Sequence, residues 1–110
     1  MKQKIYQIDA FTTKLYGGNP AAVCILDSWL DTELMQTIAA ENNLAETAFA
    51  VNKNDHYELR WFTPEIEVDL CGHATLATAY VIFNYYGFTE NTLRFISSRS
   101  GELLVQKNKE

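Results

Sequence analysis

One carboxylate stands within a run of small and apolar residues. Glu46 is the charged residue of the run 43–49, which reads Asn-Leu-Ala-Glu-Thr-Ala-Phe. A carboxyl group that is removed from water holds its proton closer to neutral pH, which suits a general acid or base. A structural role also fits this pattern, because a glutamate at a sheet edge can face water or cap a loop. The residue types therefore predict a proton-transfer group at Glu46, with a structural carboxylate as the alternative.

A thiol and an imidazole stand close together at the start of a predicted helix. Cys71 and His73 lie in the segment 69–74, which reads Asp-Leu-Cys-Gly-His-Ala. A cysteine before a helix N-terminus can ionise to a thiolate, and a histidine can move a proton or bind a carboxylate. The free backbone N–H groups at such a terminus can hold an anion. The alternative is again structural, since cysteine is often buried and the histidine can cap the helix.

Three further residues carry side chains that could take part in chemistry. Asn19 lies between two glycines and a proline in Tyr-Gly-Gly-Asn-Pro at 16–20, a composition that is typical of a turn. His56 is expected in a solvated polar loop. Cys24 is expected in the core of a strand.

Composition excludes several classes of function. The chain has 110 residues, of which 47% are hydrophobic, and this predicts one small globular domain over residues 1–110. A formal net charge of −5 argues against a nucleic-acid partner, because phosphate binding needs a basic surface. The two cysteines have neither metal-ligand spacing nor the pattern of a disulfide framework. The first residues lack the apolar core of a signal peptide, so a reduced cytoplasmic protein with no bound metal and no membrane partner is expected.

The elements that must position these residues follow from hydrophobic periodicity. The stretch Cys71–Gly87 contains no charged residue, and its apolar side chains surround the helical wheel. Such a helix is buried on all sides or lies in a membrane, and this one is short for a bilayer, which needs about 20 apolar residues. A second helix, capped by Asp31 and ending near Asn42 and Asn43, is amphipathic and is expected on the outside of a sheet. The predicted strands are Lys2–Phe11, Ala21–Leu26, Thr47–Val51, Tyr57–Phe62, Thr92–Ser97 and Glu102–Gln106. Together they predict an α+β fold in which a mixed or antiparallel sheet curls around a buried central helix.

Three segments together resemble a known family. They are Gly-Asn-Pro-Ala-Ala-Val at 18–23, Asn-Leu-Ala-Glu-Thr-Ala-Phe at 43–49, and Phe-Thr-Pro at 62–64 leading to Asp-Leu-Cys-Gly-His-Ala-Thr at 69–75. In this order, and with the later Ser100-Gly101 and its following strand, they resemble the phenazine-biosynthesis PhzF-like family. That family belongs to the diaminopimelate-epimerase superfamily of cofactor-independent isomerases.

The resemblance implies a fold and a set of site residues. Family members have two similar domains, each built around a central helix, and their active site lies in the cleft between the domains. The catalytic glutamate of the family falls on Glu46, and its Gly-His pair falls on Gly72 and His73, which contact the substrate. Asn19 and Ala74 lie in the motifs that line the same cleft. The implied substrate is a small carboxylate, and no cofactor or metal is implied.

The resemblance leaves open which group acts as the base. In the epimerases and racemases of the superfamily, a cysteine before a Gly-Asn pair abstracts the α-proton. Here Cys71 precedes Gly72 and His73. The phenazine enzyme looks different, because it has a small unreactive residue at the position of this cysteine. The chain thus combines a PhzF-like glutamate with an epimerase-like cysteine.

The length departs from the family pattern. Members are more than twice as long, and the second-half motif Asp-x-Ala-Thr-Gly-Ser-Ala is absent from this sequence. The chain is therefore expected to supply one wall of the cleft and to form a homodimer or pair with the missing second domain. The alternative is a non-catalytic, self-associating domain or a truncated fragment that retains the fold alone.

Overall fold

The computed structural model describes residues 4–13 and 17–107, with side chains described for residues 4–7 and 21–107. The chain order of the elements is β1 (Tyr6–Thr13), β2 (Gly17–Leu26), α1 (Thr32–Asn42), β3 (Glu46–Asn52), β4 (Tyr57–Phe62), β5 (Glu67–Val68), α2 (Gly72–Tyr85), β6 (Thr92–Ser97) and β7 (Gly101–Gln106). No helix among the described residues is both long enough and apolar enough to cross a membrane.

The strands form one mixed sheet in the order β1-β2-β3-β4-β6-β7, and the short β5 pairs with β4. The pairs β2–β3 and β4–β6 are parallel, and the other neighbours are antiparallel. Each parallel pair is joined through a helix, as parallel connections require. The predicted α+β fold with a mixed sheet is confirmed.

The two helices pack on opposite faces of the sheet. Along β4, Tyr57, Leu59 and Trp61 join the core beneath α2, whereas Phe62 joins a second core with Met35 of α1. This alternation follows from the two-residue period of a strand. The amphipathic α1 lies on the outside of the sheet as predicted, and its C-cap residue is Asn43, whose φ of 54° is left-handed. Cys24 is fully buried, as predicted.

The prediction that α2 is buried on all sides is wrong for one stripe of the helix. Seven of its residues are buried against the sheet, but Leu76 is 41% exposed and Tyr80 is 47% exposed. Gly72, His73 and Asn84 lie on the same exposed stripe. The sheet covers one side of α2. The helix therefore has more apolar surface than the described strands cover. We call the stripe formed by Leu76, Tyr80 and Asn84 the open face of α2.

Two short segments also differ from the sequence predictions. The predicted turn at 16–20 is wrong for Gly17 onward, since β2 begins there and Asn19 and Pro20 pair with Ala10 and Asp9 of β1. Pro20 restricts the preceding residue, Asn19, to extended backbone. This conformation fits a strand as well as it fits a turn. The predicted connection 65–69 contains the two-residue strand β5, which is too short to give a periodic signal.

Candidate active site

The first residue of β3 is Glu46, and the parallel register sets it beside Ala21 of β2. Side chains alternate along a strand, so Glu46 lies on the same face as Ala48 and Ala50. Both alanines are buried in the core beneath α2. The sheet therefore directs the Glu46 carboxylate toward the α2 side, at the edge where β3 begins.

A chain of hydrogen bonds fixes the start of α2 over that edge. Trp61 of β4, which pairs with Ala48 of β3, donates its indole N–H to the Thr75 hydroxyl at 2.9 Å. The Thr75 hydroxyl and backbone N–H in turn donate to the carbonyl of Cys71, at 2.7 and 3.0 Å. Cys71 is the N-cap residue of α2 and has extended backbone geometry. These contacts fix Cys71 at the start of α2, on the side of the sheet toward which Glu46 is directed.

The Glu46 carboxylate has a buried oxygen without a partner. Its Oε1 atom is inaccessible to solvent and forms no hydrogen bond with any described residue. Leaving a buried acceptor unpaired costs about 1–3 kcal/mol, and more for a charged group. Unsatisfied polar atoms in folded proteins often mark functional positions. The arrangement thus distinguishes Glu46 from a glutamate that only faces water.

Cys71 is a partly buried thiol that interacts with Glu46. Burial is the largest effect, and it raises the pKa of the Cys71 thiol above its ordinary value. The backbone N–H groups of Ala74 and His73 act in the opposite sense by stabilising the thiolate, and the negative charge of Glu46 raises the pKa further. A protonated thiol therefore predominates at neutral pH.

Gly72 and His73 form the accessible part of the site. Both are exposed at the start of α2, and a Cβ atom built on Gly72 would meet no atom within 4 Å. Ala74 differs from them because its side chain is fully buried, so it can offer a ligand its backbone alone. The backbone of Asn19 lies in β2 two residues before the partner of Glu46, but its side chain is outside the described part of the structure.

Sequence reasoning missed the residues that hold the loop before Cys71. Arg99, between β6 and β7, donates to the Asp69 carboxylate at 2.9 Å, and the Ser100 hydroxyl donates to the Asp69 carbonyl. Arg60 of β4 forms a two-pronged ion pair with Glu67 of β5, at 2.7 and 2.8 Å. The acidic run at 65–69 indicates basic partners, but the contacts that reach Asp69 from Arg99 and Ser100 span about thirty residues and leave no local pattern.

The site can bind an anion and exchange a proton. The N-terminus of α2 presents backbone N–H groups and the positive end of the helix dipole beside an exposed histidine. Glu46 supplies a carboxylate near that terminus. The described residues contain no group of three or more metal-ligating side chains close enough to hold a metal ion.

Comparison with known proteins gives the family. The family model described as phenazine biosynthesis-like protein matches residues 8–110. The chain belongs to this family. An uncharacterized isomerase of Pseudomonas aeruginosa is 57% identical over 107 residues, which make up 97% of this chain and 41% of that protein. The predicted resemblance to the PhzF-like family is confirmed.

Solved structures agree with the fold. A phenazine biosynthesis protein of the PhzF family from Enterococcus faecalis matches with a TM-score of 0.93 and 57% identity, over 100% of this chain and 42% of that chain. A predicted epimerase from Pseudomonas aeruginosa matches with a TM-score of 0.77 and 25% identity, over 94% of this chain and 37% of that chain. The fold is that of a diaminopimelate-epimerase-like domain, and the chain spans about two fifths of these relatives.

Proposed function

We propose that this chain carries the acid–base half of a cofactor-independent isomerase that moves a proton on a small carboxylate metabolite. The observation that supports this most is the buried Oε1 atom of Glu46, which has no hydrogen-bond partner among the described residues. The relatives that are named isomerases support the reaction class. We also propose a cytoplasmic location.

The proposed reaction assigns one role to each group. The substrate carboxylate binds the backbone N–H groups at the start of α2, with Gly72 leaving room and His73 beside it. Glu46 accepts a proton from the adjacent carbon, and the electron pair of the broken C–H bond is delocalised into the carboxylate. A proton returned to another carbon, or to the other face of the same carbon, completes the isomerisation. Cys71 is the alternative base.

A second wall is needed to close this site. Groups on both faces of the reacting carbon are required for inversion, and the described residues line one side. The open face of α2 begins one turn after His73 and presents Leu76 and Tyr80 to solvent. Apolar surface of this kind marks contact sites. We propose that a second domain, as in the longer relatives, or a second copy of the chain packs there.

A non-catalytic, self-associating domain is the second candidate function. The exposed Leu76 and Tyr80 favour it as well, because an apolar helix face supports association whether or not chemistry takes place. The two candidates differ in what Glu46 does. Only the isomerase needs the ionised side chain.

Solvent exchange tests the proposal. The chain is produced together with the C-terminal three fifths of the Pseudomonas aeruginosa relative and is incubated in D₂O with a panel of α-amino and α-hydroxy carboxylic acids. Proton NMR then measures deuterium incorporation. Exchange that is lost in Glu46→Gln supports the isomerase, whereas a folded assembly without exchange supports the non-catalytic domain.

A further inference from the structure

A polar cavity lies on the α1 side of the sheet. Its volume is about 440 Å³, and its walls come from the loop before α1, from β4 and β5, and from the end of β6 with the turn that follows it. Arg60, which lines the cavity, alternates along β4 with Leu59 and Trp61, and these two pack in the core beneath α2. The cavity therefore lies on the opposite side of the sheet from the one toward which Glu46 is directed.

The charged side chains that line this cavity balance one another. Arg60 and Arg99 carry two positive charges, and Glu58 and Glu67 carry two negative charges. Asp69, which also bonds Arg99, is exposed and does not line the cavity. Because the wall has both signs of charge and no formal net charge, its electrostatic complement is a molecule that also carries both signs.

Short contacts join the four charged side chains into one cluster. The Nη2 atoms of Arg60 and Arg99 lie 2.7 and 3.8 Å from the same oxygen, Oε1 of Glu67. Trp29 connects the fourth charge, because its indole N–H donates to Glu58 Oε1 at 2.6 Å and its ring centre lies 5.5 Å from the Arg60 guanidinium carbon. The two guanidinium groups and the Glu58 carboxylate therefore face one small volume.

Each sign of charge keeps hydrogen-bonding capacity for a ligand. Arg60 donates to Glu67 through Nε and Nη2, and its Nη1 has no hydrogen-bond partner among the described residues. The distance of 3.8 Å from Arg99 Nη2 to Glu67 is too long for a hydrogen bond. Glu58 bonds Trp29 through Oε1 alone, and its Oε2 has no partner within the part of the chain whose side chains are described. The cavity thus offers donors to a carboxylate and an acceptor to an ammonium group.

The central arginine is held in place before any ligand arrives. Its Nη2 donates to the Thr32 hydroxyl of α1 at 3.1 Å, and its guanidinium carbon lies 5.4 Å from the ring centre of Phe62. The side chain of Arg60 is 24% exposed and that of Glu67 is 13% exposed. A polar group that is already ordered loses little entropy when it binds a ligand.

The same cavity has an apolar wall. Trp29 and Ile96 are half-buried and line it beside the charged groups. Ile96 pairs with Glu58 across β4 and β6, so apolar surface lies next to the free carboxylate oxygen. Sites for small molecules combine apolar surface with a few placed polar groups in this way.

We propose that this cavity binds a small zwitterionic α-amino acid with an apolar side chain. The ligand carboxylate accepts from Arg60 Nη1 and Arg99 Nη2, and the ligand ammonium group donates to Glu58 Oε2. The ligand side chain packs against Trp29 and Ile96. The ligand does not react there, and the proposal does not rest on the function proposed above.

Isothermal titration calorimetry of the 110-residue chain tests the need for both charges. Leucine is compared with 4-methylpentanoate, which lacks the ammonium group, and with 3-methylbutylamine, which lacks the carboxylate. Phenylalanine is compared in the same way with 3-phenylpropanoate and 2-phenylethylamine. Each missing charge leaves a group of the cavity without its partner, so the amino acid should bind about tenfold or more tightly than either counterpart. A counterpart that binds as tightly, or no binding of either amino acid at millimolar concentrations, would overturn the proposal.

Glu58→Gln tests the position of the ammonium group. The glutamine amide oxygen can still accept the indole N–H of Trp29, but the negative charge is gone. Leucine affinity should fall about tenfold, whereas 4-methylpentanoate, which has no ammonium group, should bind no more weakly than before. Glu65→Gln is the matched control, since Glu65 is exposed and does not line the cavity. Equal leucine affinities in the two variants would also overturn the proposal.

Tryptophan fluorescence tests where the ligand binds. The chain has two tryptophans, and Trp61 is buried beneath α2 whereas Trp29 lines the cavity. Leucine should change the emission of the wild type and of Glu46→Gln alike, but not that of Trp29→Phe. A change that persists in Trp29→Phe, or binding that is lost in Glu46→Gln, would place the ligand elsewhere and contradict the proposal. None of these readouts depends on catalysis, so failure here is distinct from failure of the proposed function.

Discussion

Trp61 and Thr75 connect the sheet to the candidate site through a buried hydrogen bond of 2.9 Å. The Thr75 hydroxyl accepts from the indole and donates to the carbonyl of Cys71. One hydroxyl therefore satisfies a core donor and fixes the residue that precedes α2. The geometry of the site thus depends on a contact inside the core.

This contact makes Thr75→Val a test of the core. The valine leaves the indole N–H of Trp61 unpaired, which should lower the free energy of unfolding by about 1–3 kcal/mol. Thr37→Val is the matched control, since the Thr37 hydroxyl bonds a backbone carbonyl of its own helix at an exposed position. We expect the control to change stability by less than about 0.5 kcal/mol in urea titrations. Equal losses in the two variants would refute a special role for Thr75.

The ion pair of Arg60 with Glu67 predicts a pH dependence of stability. The Arg60 guanidinium holds the pKa of the Glu67 carboxyl below its ordinary value. A carboxyl whose pKa is lower in the folded state stabilises the protein above its unfolded pKa of about 4.3, and this contribution is lost as the pH falls through the folded pKa.

Glu67→Gln should therefore be less stable than the wild type at pH 7, by roughly 1–3 kcal/mol, because Arg60 loses a charged partner. The difference should shrink as the pH falls through the lowered pKa of Glu67 in the folded protein, because below that pKa the wild-type carboxyl is also neutral. Urea unfolding at a series of pH values measures it, with the exposed Glu65→Gln as the control. A difference that stays constant down to pH 2 would argue against the ion pair as its source.

The open face of α2 predicts self-association of the 110-residue chain. Leu76 and Tyr80 are about half exposed, and covering them removes apolar surface from water. We expect sedimentation at several concentrations to show a dimer that Leu76→Glu converts to a monomer. Leu34→Glu is the matched control, because Leu34 is similarly exposed on α1, on the opposite side of the sheet. A wild-type chain that is monomeric at every concentration would reject the homodimer and leave a second domain as the partner.

Much of the fold is predictable from local pattern. The two-residue alternation of β4 predicts which face is buried, and Asn43 predicts the end of α1 because asparagine tolerates the left-handed region. The single carboxylate among small residues at 43–49 also marks Glu46. In each case the signal lies within a few neighbouring residues.

The remainder depends on contacts between distant segments. The apolar composition of α2 predicts that other elements pack around the helix. It does not predict that the described strands leave Leu76 and Tyr80 exposed. The bond from Arg99 to Asp69 joins residues thirty positions apart. These features follow from the assembled sheet.

Deuterium exchange by the assembly described above, in wild-type and Glu46→Gln forms, tests the central claim most directly. Removing a general base typically costs 10²- to 10⁴-fold in rate. We predict that the wild-type assembly incorporates solvent deuterium into at least one carboxylic acid of the panel and that Glu46→Gln slows this by about 100-fold or more. Equal rates in the two forms, or no exchange in either, would contradict the assignment of Glu46 as the proton-transfer residue.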